Sequence, residues 1–196
     1  SLPQKSGVST STRVPGERAR TAAMVAAKWA APPSARSSRL TLVITAKRRP
    51  SSAIAARSCG AAARMIGLAG AFAQQRMVSG HPIAEYQMIQ AMLADSQAEL
   101  LAGWSLVQDV ATRFDAKPPQ VSDADVSMRV SCAKLFCTEM VGRVADRGVQ
   151  VHGGAGYINE YPVERFYRDV RLLRLYEGTT QVQQLIIGRE LLRRDQ

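Results

Sequence analysis

The residues best able to do chemistry lie near the end of the chain, in Tyr-Glu-Gly-Thr-Thr-Gln, residues 176–181. A carboxylate such as Glu177 becomes a better general base once apolar neighbours and a bound substrate exclude water. Gly178 beside it carries no side chain and lets a ligand approach the backbone. The same hexapeptide also reads as an acid near a helix start, where it meets the positive end of the helix dipole. On that reading Thr180 and Gln183 form a capping box. From these six residues alone, both readings stand.

Two other segments carry groups that can bind. His-Gly-Gly-Ala-Gly-Tyr (152–157) places Gly153, Gly154 and Gly156 in a loop. It is not a dinucleotide fingerprint, because that motif follows a strand and a helix pattern precedes it here. A helix stop is the plain reading. Residues 161–176 interleave Arg165, Arg168, Asp169, Arg171 and Arg174 with Phe166, Tyr167, Leu172, Leu173, Leu175 and Tyr176. Such a mixture can contact nucleic acid. More commonly it is an ion-paired helix face over a core stripe.

No metal chemistry is indicated. His81 and His152 lie far apart, and Cys59, Cys132 and Cys137 include no C-x-x-C pair. Buried thiols in a reducing compartment are expected. That points to the cytoplasm. The mitochondrial matrix is the alternative if the basic front is a transit peptide.

These residues need elements to position them. Residues 53–77 are rich in small residues and helical in pattern, with Ile54, Met65, Leu68 and Phe72 as the larger apolar side chains. A long amphipathic helix is expected over 81–114, with Ile83, Tyr86, Ile89, Leu93, Leu100, Trp104, Val107, Ala111 and Phe114 at helical spacing. Residues 115–125 break it, and Ser122 or Asp123 can cap the next helix. That helix is expected to run to about Arg147, with Val126, Val130, Ala133, Cys137, Met140 and Val144 on one face. A short helix over 161–168 and a last one over 180–193 complete the pattern. No alternating strand pattern follows residue 50. The fold class expected is all-α: an antiparallel four-helix bundle over 51–196.

The front of the chain differs. The formal net charge is +10, and residues 1–59 hold eleven bases and one acid, so the remainder balances. The basicity therefore speaks for the front segment and not for a nucleic-acid-binding core. No apolar run is long enough to span a bilayer. Residues 1–50 read as a basic leader without a core of its own. A targeting peptide, a disordered arm and an out-of-frame reading all account for its Ala, Arg, Ser and Pro excess.

Taken in order, Gln150, Gly153-Gly154, Gly156-Tyr157, Tyr161-Pro162, Arg165, Arg168-Asp169 and Tyr176-Glu177-Gly178-Thr179 closely resemble the C-terminal signature of acyl-CoA dehydrogenases. Upstream, residues 73–95 are similar to the family's helix–turn–helix with Arg, Gly and Gln. The resemblance covers about 53–193. It implies an FAD-dependent enzyme in which Glu177 removes the α-proton of an acyl-CoA thioester and Gly178 lies against the substrate. It further implies Thr179 and Gln181 as contacts to the FAD of the same subunit. Arg76, Gln87, Gln150, Gly153 and Gly154 would contact the FAD of a neighbouring subunit, in a homo-oligomer, dimer or tetramer. Electrons would pass to an acceptor flavoprotein.

Two departures stand out. Ser79 occupies a position that is usually Phe in the family, and Ser51 a position that is usually Arg. Residues 1–50 show no motif of the domains that the family places before this bundle. A fragment with doubtful stand-alone turnover is therefore expected. The alternative is a non-catalytic oligomerisation or binding module derived from the family.

Overall fold

The computed structural model describes residues 50–116 and 123–194. The expectations for residues 1–49 and for a cap at Ser122 lie outside the described residues. The described elements are α1 (Pro50–Gln75), β1 (Met77–Val78), β2 (His81–Pro82), a 3-10 turn at Ile83–Glu85, α2 (Gln87–Ala116) and α3 (Asp123–His152). A second 3-10 turn (Gly153–Tyr157), α4 (Pro162–Leu172) and α5 (Thr180–Arg194) follow. Over the described residues the fold is all-α, as the helical periodicity predicts, with one short two-stranded ribbon that it does not predict.

Helix α3 is the axis of the bundle and packs against α1, α2, α4 and α5. Its inner face is Val130, Ala133, Cys137, Met140, Val141, Val144 and Ala145, all buried. Helix α1 meets it with Ala55, Ala56, Cys59, Ala62 and Met65, all nearly or fully buried. Small side chains on α1 let the two backbones come close, since interaxial distance follows side-chain size at the contact. Helix α2 adds Leu100, Val107 and Val110. Gly103 on α2 sits where a Cβ would meet Cys59 Sγ at 3.1 Å and Met140 Cε at 3.1 Å. Cys59 and Cys137 are both buried free thiols, 3.7 Å apart. The expectation of buried thiols holds for these two.

Three boundaries differ from the periodicity. Helix α2 begins at Gln87 and not His81, because residues 77–82 turn back as an antiparallel hairpin with Met77 opposite Pro82 and Val78 opposite His81. Its two-residue loop, Ser79-Gly80, has positive φ at both positions (50° and 82°), the requirement of a tight hairpin turn. Ser79, where the family usually has an aromatic ring, is exposed here. Helix α3 continues past Arg147 to His152, and Gly153 (φ 58°) ends it. Helix α4 runs to Leu172, four residues beyond the expected end. Pro162 starts it, as a first-turn proline should.

Ion pairs link the long helices at their surface. Glu99 on α2 accepts from Arg143 Nε (2.8 Å) and Arg147 Nη1 (3.0 Å) on α3. Burial pushes the Glu99 carboxyl up, but the two guanidinium bonds outweigh it and the net shift is downward. No described helix is long and apolar enough to cross a membrane.

Candidate active site

The chain leaves α4 at Leu173 and reaches α5 through a tight turn. Glu177 (φ 55°) and Gly178 (φ 87°) are both left-handed. Glycine suits that conformation; for glutamate it costs roughly 1–2 kcal/mol. A Cβ on Gly178 would also come 2.6 Å from Gln183 Nε2. Gly178 is therefore required twice, by its φ and by its neighbour.

The turn's carbonyls face donors from three helices. Glu177 O accepts from Ser51 Oγ of α1 (3.3 Å) and from Gln183 Nε2 of α5 (3.2 Å). Gly178 O accepts from Gln183 Nε2 (3.2 Å) and from Lys134 Nζ of α3. Lys134 and Gln183 are both buried. Burial pushes the Lys134 ammonium pKa down, and the Glu177 carboxylate works against that shift. The Glu177 side chain itself is exposed. It makes no hydrogen bond or ion pair with the described residues.

Helix α5 is capped differently from the expected box. Thr179 is the N-cap: its hydroxyl accepts from Val182 N (3.4 Å), and its carbonyl accepts the first intrahelical bond from Gln183 N (3.0 Å). Thr180 is the first helical residue, and its hydroxyl donates to Glu139 Oε1 of α3 (2.7 Å). The other oxygen of Glu139 accepts from Arg174 Nη1 (3.1 Å). With Thr179 as the cap, Gln183 stands one residue too late for the box, and its amide nitrogen instead donates to the two turn carbonyls. The capping-box reading of Thr180 with Gln183 is thus corrected. Gln181 is exposed on the first turn of α5.

The other expected binding residues gather at the far end of the bundle. Phe72 near the end of α1 stacks on His152 at the end of α3, with ring centroids 4.3 Å apart. Tyr161 meets both rings edge-on at 5.7 and 5.9 Å. This aromatic trio brings Arg76, one turn beyond Phe72, to the same end as the Gly153 loop. Arg76 N donates to Phe72 O (2.9 Å), and Ile83 N donates to Arg76 O (2.9 Å). The Arg76 guanidinium is exposed and has no ion pair among the described residues. Gln87 and Gln150 are exposed, at the start of α2 and the last turn of α3. A Cβ built on Gly153 or Gly154 would meet nothing within 4 Å, so open space lies over both. Gly156 differs: a Cβ there would come 2.7 Å from Val149 O, so its role is packing.

The structure therefore sorts the expected residues into two groups. Glu177, Gly178, Thr179 and Gln181 stand beside Lys134. Arg76, Gln87, Gln150, Gly153 and Gly154 stand around His152. Lys134 and His152 are separated by about 27 Å of helix at 1.5 Å per residue. The two groups cannot face one reacting atom. Sequence reasoning missed Lys134, Gln183 and Ser51 as the supports of the turn. The available signal was Lys134 itself, a lysine four residues from Val130 on the buried face of α3.

The donor set suits an anionic dinucleotide such as FAD. An unpaired guanidinium at Arg76 matches a phosphate, the open glycine backbones at 153–154 admit close approach, and the exposed amides of Gln87 and Gln150 can read polar edges.

The family model for the acyl-CoA dehydrogenase C-terminal domain matches residues 47–192. This chain belongs to that family. It is 39% identical over 141 residues to the caffeyl-CoA reductase-Etf complex subunit CarC of Acetobacterium woodii, covering 72% of this chain and 36% of that protein. It is 38% identical over 140 residues to the probable acyl-CoA dehydrogenase YngJ of Bacillus subtilis, covering 71% of this chain and 35% of that protein. The crystal structure of an acyl-CoA dehydrogenase complexed with FAD from Bacillus anthracis superposes with a TM-score of 0.68 at 30% identity. That match covers 74% of this chain and 27% of the other. The chain spans about a third of the length of the curated relatives it matches.

Proposed function

We propose that this chain is the C-terminal helical part of an FAD-dependent acyl-CoA dehydrogenase, with Glu177 as the base for α,β-dehydrogenation of an acyl-CoA thioester. The observation that carries this reading is the Glu177 carboxylate. It is exposed, makes no hydrogen bond or ion pair among the described residues, and is mounted on a strained turn whose backbone is held from below by three helices. A base must be free of competing partners and fixed in direction. Glu177 would take the α-proton onto its carboxylate. Gly178, without a side chain, would let the thioester lie against the backbone. Thr179 and Gln181 would contact the FAD beside Glu177. Arg76, Gln87, Gln150, Gly153 and Gly154 would hold the FAD of a neighbouring copy. FAD, when bound, supplies the acceptor for the β-hydrogen, which leaves as hydride. The Acetobacterium woodii relative is a subunit of an Etf complex, which supports an electron-transferring flavoprotein as the acceptor here. A cytoplasmic location, or the mitochondrial matrix, fits that partner.

A second reading is a non-catalytic oligomerisation module. Exposed Leu172 at the end of α4 and Leu175 just after it, with Val182, Leu185 and Leu192 on α5, favour it as a surface for self-association. The two readings separate on purification. Bound flavin, seen by absorbance, with dye reduction by an acyl-CoA supports the enzyme. A colourless oligomer supports the module. In the flavin-bound protein, Glu177→Gln is expected to retain FAD and lose at least about 100-fold in turnover, the scale of general-base catalysis. Unchanged turnover would place the base elsewhere.

A further inference from the structure

The Glu177–Gly178 turn rests on a charged residue that the proposed reaction does not use. Lys134 lies inside the bundle at 1% exposure. Lysine is almost never this buried unless its charge has a partner. Its ammonium donates to Gly178 O, and the carboxylate whose charge acts on it is that of Glu177. Gln183, 3% exposed, shares the grip on both turn carbonyls. A left-handed glutamate persists only where its surroundings over-determine it. Here Ser51, Lys134 and Gln183 do so from α1, α3 and α5. Of the three, Lys134 is the only charged donor, and bonds to charged groups are roughly twice as strong as neutral ones.

We infer that Lys134 is the positioning residue for Glu177: its ammonium, bound to the Gly178 carbonyl from inside the bundle, keeps the turn left-handed and the Glu177 carboxylate outward. The inference rests on Glu177 being the base. It makes Lys134 matter through its donated proton and charge, and not through the volume it fills.

The test uses the whole chain and needs no cofactor. Gly178-Thr179 is the only Gly-Thr pair in the sequence. Isotopic labelling of glycine carbonyls and threonine nitrogens therefore gives one correlation peak in the NMR spectrum, and it reports directly on the bonded carbonyl. The one-bond Cα–Hα coupling of Glu177 distinguishes positive from negative φ. Lys134→Met keeps the chain length and removes the donor; Lys134→Arg keeps a charged donor. With Lys134→Met, the peak is expected to move and the Glu177 coupling to shift toward negative φ. The Thr180 amide, which donates to Arg174 O at 3.2 Å, should exchange about tenfold faster, the factor for one bond to a charged group. Lys134→Arg is expected to restore all three readings.

The inference is overturned if Lys134→Met folds, by circular dichroism, with the peak and coupling of the wild type. It is equally overturned if Lys134→Arg behaves like Lys134→Met, because packing would then be the operative property. If the Met variant does not fold, Lys134→Gln against Lys134→Arg makes the same comparison. Loss or retention of turnover in Glu177→Gln tests the base separately, since that change leaves Lys134 and its bond to the Gly178 carbonyl available.

Discussion

Adjacent residues of the turn respond differently to a change at Cα. Gly178 has φ 87° and its missing Cβ would meet Gln183 Nε2 at 2.6 Å. Gly178→Ala therefore adds a left-handed penalty and a clash, and is expected to lower folding stability by about 1–3 kcal/mol in urea denaturation. Glu177 has φ 55° and an exposed side chain. Glu177→Gly relieves the strain of a left-handed non-glycine residue. Against this stands the larger entropy a glycine loses on folding. The loss of the carboxylate's attraction for the buried Lys134 ammonium also opposes the relief of strain. The expected result is stability within about 1 kcal/mol of the wild type, with the proposed base removed. A loss well beyond that would mean that the carboxylate chiefly serves the fold. The glycine was legible in the sequence as room beside an acid. The strained backbone of Glu177 was not, because nothing in a residue's type announces a positive φ when that residue is not glycine.

Among the elements, the aromatic trio decides how the two ends of the long helices meet. Phe72 of α1, His152 of α3 and Tyr161 just before α4 bring three segments to one place. His152 is buried, and its ring Nδ1 lies 2.7 Å from Gly148 O. Burial pushes its pKa down, and the bond to the Gly148 carbonyl opposes that in part. The sign of the consequence follows. An unfolded histidine titrates near 6.5, while the folded one resists its proton to lower pH. The contribution is fully present above that unfolded value and is lost as pH falls through the folded one. Urea midpoints measured from pH 7.5 downward should show this loss in the wild type. His152→Phe, which can still stack, should remove most of the slope above the carboxylate range. Glu99 adds a separate loss at more acid pH, since its two arginines hold its pKa below the usual value. The helices themselves were readable from spacing: Val130, Cys137, Met140 and Val144 are buried as their register requires. The start of α2 was not, because Ile83 and Tyr86 fit the helical stripe while Pro82 and Ser79-Gly80 impose a hairpin on the residues before them. Local turn chemistry overrode periodicity.

At the scale of the molecule, two motifs 24 residues apart in sequence end on opposite sides of the bundle, because α4 runs back along α3 between them. The ordered motifs pointed to the residues of each group without revealing the about 27 Å of α3 that divides them. That separation has a consequence for assembly. If Arg76 and Glu177 serve the same chemistry, they must do so from different copies of the chain. In a two-fold dimer each complete site then takes Glu177 from one copy and Arg76 from the other. Arg76→Ala alone should weaken flavin retention, because an unpaired guanidinium suited to a pyrophosphate is gone. Glu177→Gln alone should retain flavin and lose turnover. Mixing the two variants by co-expression puts both lesions into one site of each heterodimer and leaves the other site intact. With half of the dimers mixed and one of two sites whole in each, turnover should recover to about a quarter of the wild-type value. Recovery distinguishes shared sites from sites built within one chain, where mixing restores nothing. A mixture that stays inactive while each parent retains its fold and its oligomeric state would separate the two ends functionally as well as in space. Arg76 and the Gly153 loop would then have to be assigned to something other than the flavin beside Glu177.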